Sequence, residues 1–550
     1  MPALTDSYWP ADDTLPILEE TVGGLLRRAA AEVPDRVALV DAVPDPAQRR
    51  SWTYAELLAD AERVARALLA RFAPGERVAV WAPNCAEWLI VQHGVSLAGM
   101  ILVPVNPAYR QAELEYVLTQ SRAVVLLHAD AYRGFDMGAA VTAARANAPA
   151  LQQAVSLTDW DAYLGSGDPA TALPAVAPGD RLQIQYTSGT TGFPKGALLH
   201  HRGIVNASRF VFLRADAHDG AVCINSMPMF HIGGGAVTGI GTLSQRGTYV
   251  LMPGFDPGLQ LELTETYRGT IMLLVPTMLI AVLDHPDRPG RDLSSIETML
   301  SGASFVPAEL VRRTQDTLGC LFSILFGQTE MHGVIAQTGT SDSPEDQSRT
   351  IGRPLPRAEV KIADPETGEP LPLGESGEIC VRGYQAMHSY FELPDATALA
   401  ITADGWLHSG DLGAMDERGF LTITGRLKDM IIRGGVNIYP REIEDTLLTH
   451  PKVAETAVLG VPHPTWGETV NAAIRPVDPT DPPTPDELRA FCRERLAAFK
   501  TPSSWFLVDA LPATPTGKIQ KFVLRDRIEG GELAPTPLAV GPEGRTSVPG

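Results

Sequence analysis

The run from Tyr186 to Gly196 reads Tyr-Thr-Ser-Gly-Thr-Thr-Gly-Phe-Pro-Lys-Gly, a stretch of hydroxyls and glycines with one cation. Phosphate is the ligand such a stretch suits. Gly189 and Gly192 let backbone N–H groups approach phosphate oxygens, the hydroxyls of Thr187, Ser188, Thr190 and Thr191 add donors, and Lys195 adds charge. The spacing is not that of the Gly-x-x-x-x-Gly-Lys-Ser/Thr loop, because Gly196 follows the lysine and the hydroxyls come first. A generic Gly/Ser/Thr surface loop is the competing reading, which this string disfavours.

Four further strings carry groups of the kind a nucleotide needs. In Phe326-Gly327-Gln328-Thr329-Glu330, an aromatic face can stack on adenine and a carboxylate can hold the magnesium that accompanies ATP phosphates. Ser301-Gly302-Ala303-Ser304 precedes it as a second small-residue turn. The Asp411 that ends Trp406-Leu-His-Ser-Gly-Asp411 would, alone, be read as closing a turn. Lysines such as Lys428 in Gly425-Arg426-Leu427-Lys428-Asp429 and Lys518 in Pro515-Thr-Gly-Lys518-Ile-Gln-Lys521 would ordinarily be solvated surface.

Taken in order, these strings resemble the motifs of the adenylate-forming superfamily, which comprises acyl- and aryl-CoA synthetases, nonribosomal adenylation domains and luciferases. The resemblance covers the chain from about residue 180 to residue 521; the amino-terminal third adds little. It implies a nucleotide site built from Thr187, Ser188, Gly189, Thr190, Thr191, Gly192, Lys195, Gly302, Ala303, Ser304, Phe326, Gly327, Gln328, Thr329, Asp411, Ile423, Arg426 and Lys518. Within it, Asp411 would accept hydrogen bonds from both ribose hydroxyls, with Ser409 where threonine is more usual. Arg426 would contact the ribose, and Glu330 with Thr187 would hold magnesium. Lys518 would be the catalytic cation between the substrate carboxylate and the α-phosphate, acting with Glu330, Thr187 and Lys195. Lys428 would be a hinge, and Arg433, Gly434, Gly435 and Val436 would line a coenzyme A tunnel.

The activity this implies is ATP-dependent carboxylate–CoA ligation through an acyl-adenylate, with ATP, Mg2+ and coenzyme A as the small molecules engaged. Attack of one anion on another needs cations and donors at the phosphate, which the strings supply. Thioester formation then needs a thiol where Lys518 stood, so the resemblance implies rotation of the segment after Lys428 between the two steps. Two alternatives remain open: a ligase that loads a carrier protein, and a member running one half-reaction. Spacing from Phe326 to Asp411 looks too short for the insertion of the former.

The acid is less legible. Met229-Phe230-His231-Ile232-Gly233-Gly234-Gly235-Ala236 resembles the family's acyl-side loop, giving a pocket of His231, Gly233, Gly234, Gly302, Gly327 and Met331. His231 reads equally as a gate and as a core histidine. Gly233, Gly234, Gly235, Gly239 and Gly241 leave open room on one side or are filled by side chains from elsewhere, and no acidic residue in these strings resembles the partner of a substrate amine. The expected substrate is therefore a medium- to long-chain or bulky polycyclic acid.

Elements must position these residues. From Arg77, β-rich runs (77 to 81, 101 to 105, the strand entering the loop near 180) alternate with helical patterns such as an amphipathic Ala86 to Ala98, which predicts a mostly parallel, helix-covered sheet. After about residue 425 a compact pattern follows, with strands near 457 to 461 and 470 to 475 and a helix from Asp486 to Phe499. The expected fold class is α/β: a large amino-terminal domain of helix-covered sheets, 1–427, and a small mobile α+β domain, 428–550, with a loose tail from about 531.

Composition agrees with that plan. At 550 residues more than one domain is expected. A net charge of −20, from 45 Lys plus Arg against 65 Asp plus Glu, argues against bulk binding to nucleic acid or anionic membrane. Arg441, Arg489 and Lys500 are the few candidate cations for the 3′-phosphate of coenzyme A, each also readable as solvated surface. No basic-then-apolar leader opens the chain, no run is long enough to span a bilayer, and five scattered cysteines suggest neither disulfides nor zinc. A cytoplasmic enzyme is expected, with a homodimer as the candidate assembly.

Overall fold

The computed structural model describes residues 4–187, 194–304, 306–434, 436–513 and 519–537. The chain divides into two compact units. One holds Met1–Lys361, Cys380–Ser409 and Met415–Thr422; the other holds Ile362–Ile379, Gly410–Ala414 and Ile423–Gly550.

In the larger unit, Arg77–Trp81, Ile101–Val105, Val125–His128 and Gln153–Ser156 form a parallel core. Arg181–Thr187 joins it parallel to Ile101–Val105, then turns back as the antiparallel strand Lys195–His200. Ser389–Tyr390 completes that edge. The Val-, Ala- and Leu-rich central strands are buried almost throughout, as strands covered on both faces must be. Helix Ala86–Leu97 is not amphipathic, contrary to the sequence pattern. All of its residues but Glu87 are buried, because Gly94 packs on Val64 of the neighbouring helix and Trp88 on Gly235.

A second, nine-stranded sheet has the order Arg353–Pro354, Ala336–Gln337, Leu321–Phe326, Thr298–Gly302, Ile271–Leu273, Val222–Asn225, Thr248–Leu251, Val37–Asp41 and Arg50–Thr53. From Leu321–Phe326 to Val37–Asp41 its strands are parallel. Gly302 lies opposite Leu325, so the turns after both strands emerge at the same carboxyl-terminal edge. Ligands in open parallel sheets bind at such edges.

The smaller unit is built on Val453–His463 paired antiparallel with Gly467–Pro476, to which Ser504–Leu507 adds in parallel. Helices Pro440–Leu448 and Pro485–Arg495 bury Ile443, Leu447, Leu488 and Cys492 in one cluster, while Leu524 of Lys521–Glu529 enters another with Leu459 and Phe506. Thr484 opens the second helix with a reciprocal cap to Glu487. That helix stops at Arg495, short of the expected Phe499, because Leu496 turns extended and packs against the core. Within the expected tail, Leu533 packs on the second cluster and Thr536 N–H donates to Trp505 O at 2.7 Å, and residues 538–550 lie outside the described residues. No helix among the described residues is long and apolar enough to cross a membrane.

Candidate functional site

In the larger unit the site begins at a hairpin. Thr187 and Lys195 face each other across it, and the Thr187 hydroxyl donates to Lys195 O at 3.4 Å. Ser188, Gly189, Thr190, Thr191 and Gly192, between them, lie outside the described residues. The hairpin's base is clamped from one side. Tyr186 OH donates to Gln120 Oε1, and Tyr116 OH donates to Pro194 O at 2.8 Å.

Lys195 and Glu330 meet at one aromatic ring. The Lys195 ammonium stands 5.1 Å from the Tyr390 ring centroid, while Tyr390 OH donates to Glu330 Oε1 at 2.7 Å. Burial, then the charge of Glu330 and this hydrogen bond, push the Tyr390 phenol well above its ordinary range, so it stays protonated and a donor. Backbone bonds hold the three together: Met387 N–H donates to Glu330 O at 2.8 Å and Phe391 N–H to Gly196 O at 2.8 Å. Tyr390 belongs to no string that sequence reading singled out. Nothing in its neighbourhood marks it, since its partners lie far away in the chain.

His332 was missed as well. It is fully buried with φ of +56°, accepts from His200 N–H at 3.0 Å through Nε2, and donates from Nδ1 to Gln385 O at 2.7 Å. Burial keeps it neutral, far below its ordinary pKa. The imidazole ties the turn after Glu330 to the strand that begins at Lys195.

The turns at the second sheet's edge are crowded by backbone. A Cβ on Gly302 would strike Leu325 O, and one on Gly327 would strike Gly333 O. Ala303 sits at φ +64°, with Ala303 and Ser304 exposed. Phe326 is half-buried at its strand end, Gln328 and Thr329 accept backbone bonds from Gly333 and His332, and Met331 is fully buried.

At the acyl-side segment the glycines are filled by neighbouring groups, and the reading of open room gives way to its alternative. A Cβ on Gly234 would strike Pro228 O, one on Gly235 would lie 2.6 Å from Met229 O, and Gly241 is filled by the Phe212 ring. Gly233 has His231 Nδ1 at 3.2 Å from such a Cβ, and Gly239 has Gly234 O at 3.3 Å. These glycines permit a π-helical turn, Gly233–Thr238, to pack closely on backbone, with Tyr249 OH donating to Gly234 O at 2.9 Å. His231 Nδ1 accepts from Gly233 N–H at 3.1 Å, and burial lowers its pKa to about 4. It is neutral, with its proton on Nε2.

In the smaller unit, Arg426 Nε lies 3.0 Å from Oδ1 of the buried Asp411. Gly410 N–H donates to Glu378 Oε1 at 2.9 Å, steadying the preceding residue. Ile423 is half-buried on strand Leu421–Arg426, and the exposed Lys428 sits in the single turn Leu427–Asp429 just beyond. Gly434, at φ +58°, donates to Trp466 O at 2.8 Å, while Arg433 donates to Phe499 O at 2.9 Å and stands over the Trp466 ring. Val436 is exposed beside them. Gly435 and Lys518 lie outside the described residues; Ala513 and Ile519 form an isolated antiparallel bridge. Arg441 pairs with Asp445 and Lys500 with Glu442.

A family model described as AMP-binding enzyme matches residues 26–391, and one described as AMP-binding enzyme C-terminal domain matches 442–518. The mitochondrial medium-chain acyl-CoA ligase ACSF2 of Danio rerio is 34% identical, over 96% of this chain and 92% of that protein. A methyl-dioxo-octahydroindenyl propanoyl:CoA ligase of Rhodococcus jostii is 36% identical, over 92% and 98% respectively. The crystal structure of ATP-bound MatB from Rhodopseudomonas palustris superposes with a TM-score of 0.83 at 30% identity, covering 92% of this chain and 99% of that one.

Proposed function

The chain belongs to the AMP-binding enzyme family and is an ATP-dependent, AMP-forming acid–CoA ligase, and from that premise we propose the residues that run each step. The observation that carries the proposal is the gathering of Thr187, Lys195 and Glu330, where the hairpin of the first sheet meets the turn after Leu321–Phe326 of the second, with Lys195 beside the ring of Tyr390 and Glu330 at its hydroxyl.

In the first step a carboxylate oxygen bonds to the α-phosphorus of ATP and pyrophosphate leaves. Lys195 and the donors from Thr187 to Gly192 meet the phosphates, Phe326 and the turns at Gly302–Ser304 and Gly327–Thr329 receive the adenine, and Asp411 with Arg426 and Ile423 receives the ribose. Lys518 bridges the acid and the α-phosphate. Each donor that strengthens only as charge builds on phosphorus is worth roughly 3 to 4 kcal/mol. In the second step the thiol of coenzyme A attacks the acyl carbonyl and AMP departs.

Glu330 and Thr187 are the proposed magnesium ligands. Glu330 is half-buried with one oxygen taken by Tyr390, and its other oxygen has no partner among the described residues. Hard carboxylate and hydroxyl oxygens suit this ion. When bound with ATP, magnesium supplies positive charge at the phosphates. Lys428 is the proposed hinge between a domain of residues 1–427 and one of 428–550. Arg433, Gly434, Gly435 and Val436 are the proposed lining for pantetheine.

The proposed acid is apolar, of medium to long chain or bulky and polycyclic. The names of two relatives support this range, one specifying medium-chain acids and the other an octahydroindenyl propanoate. His231, neutral and locked by Gly233, serves as a wall of that pocket with Gly233, Gly234, Gly302, Gly327 and Met331. Four buried free cysteines and a half-buried fifth support a reducing, cytoplasmic setting. A panel of carboxylic acids read by both AMP and acyl-CoA tests the reading. Equal release of the two from apolar acids is expected. Preference for amino acids would overturn the substrate class, and AMP release with transfer only to a carrier protein would overturn the acceptor.

A further inference from the structure

We propose that Tyr390 is the positioning residue of the magnesium carboxylate: its hydroxyl holds Glu330 Oε1, and its ring keeps the Lys195 ammonium from collapsing onto that carboxylate. This rests on the assignment of Glu330 as a magnesium ligand.

The need for such a device follows from the site's electrostatics. Glu330 sits in a single turn, Thr329–Met331, too short to restrain a long side chain by helical packing. Lys195 begins the strand Lys195–His200, and the edge strand Ser389–Tyr390 pairs with that same strand. A lysine and a glutamate brought this close would satisfy each other as an ion pair. Each charge would then be quenched, whereas the reaction needs the ammonium for phosphate oxygens and the carboxylate for a cation.

Tyr390 removes that outcome in two ways. Its ring stands next to the ammonium, 5.1 Å from the centroid, which gives Lys195 a favourable cation–π partner in place of the carboxylate. Its hydroxyl, 2.7 Å from Oε1, occupies one side of the carboxylate and leaves the other oxygen for the metal. The tyrosine is itself held rigidly. Tyr390 N–H donates to Thr397 Oγ1 at 3.0 Å, while the adjoining backbone bonds from Met387 to Glu330 and from His388 to Leu198 fix its register. The half-buried phenol and carboxylate thus act as one unit.

The experiment compares wild type, Tyr390→Phe, Tyr390→Leu and Glu330→Gln in the full chain. Magnesium dependence of ATP–pyrophosphate exchange is measured, with direct titration of Mn2+ in the presence of ATP by electron paramagnetic resonance as the binding readout. Tyr390→Phe keeps the ring and loses the hydroxyl. It should raise the half-saturating Mg2+ and weaken Mn2+ binding about tenfold, the loss expected of one hydrogen bond to a charged group, with kcat at saturating Mg2+ within about threefold and the KM for the acid unchanged. Tyr390→Leu loses both functions and should also raise the KM for ATP, because Lys195 is freed to pair with Glu330. Unchanged Mg2+ and Mn2+ dependence in Tyr390→Phe, alongside a clear shift in Glu330→Gln, would overturn the role of Tyr390 alone. No shift in Glu330→Gln would instead overturn the metal assignment, and this inference with it.

Discussion

Arg426 and Asp411 form an ion pair of 3.0 Å between the guanidinium Nε and the carboxylate Oδ1, and the aspartate is buried while the arginine is half-exposed. The pair sets the aspartate's orientation, as the ribose role proposed for it would require. Removing one partner of such a pair also strands the other, so the cost of substitution exceeds one hydrogen bond.

Asp411→Asn should therefore raise the KM for ATP by roughly tenfold to a hundredfold, equivalent to about 1.5 to 3 kcal/mol for hydrogen bonds to a charged group. Steady-state kinetics with ATP varied will measure it. An unchanged KM would remove Asp411 from the ribose site.

Lys518→Ala should abolish adenylate formation and spare thioester formation from a supplied acyl-adenylate. Pyrophosphate exchange and acyl-CoA release report the two halves separately. Equal loss in both would sink the assignment of Lys518 to the first step.

The glycine-rich turn can be tested through stability. Gly234→Ala drives a Cβ into the carbonyl of Pro228, which is backbone and cannot swing away. About 1 to 3 kcal/mol of destabilisation is expected in chemical denaturation. If the glycine instead made room for substrate, the variant would keep its stability and accept only shorter acids.

Acid should destabilise the fold through its histidines. Burial lowers the pKa of His93, His200, His201 and His231 to about 4 in the folded chain, against an ordinary value near 6.5. Between those values the unfolded chain binds the protons and the folded chain does not, so stability rises with pH across the window and is full above about 6.5. Each histidine contributes up to about 1.4 kcal/mol per pH unit. Denaturation midpoints taken from pH 7 down to 5 should fall steadily, and those from 7 to 8 should stay level. A flat profile through pH 6 would show that these rings are not buried neutral in solution.

Much of the plan was legible in the residues. The parallel strands at Arg77–Trp81 and Ile101–Val105 declare themselves by continuous apolar runs, and Arg181–Thr187 by its place before a glycine loop. Burial on both faces leaves that mark in a sequence. The same physics hid the nature of helix Ala86–Leu97, whose pattern gives no polar face once every side is covered.

What the sequence determined by itself was the chemistry: which hydroxyls, cations and carboxylates are present, and their order from Thr187 to Lys518. Those are local facts of residue type and spacing. Only the tertiary structure decided which groups meet. Tyr390 beside Glu330 and Lys195, His332 beneath His200, and Phe212 filling Gly241 all join residues far apart in the chain. Side-chain contacts across strands depend on register and packing, and neither is written in local spacing.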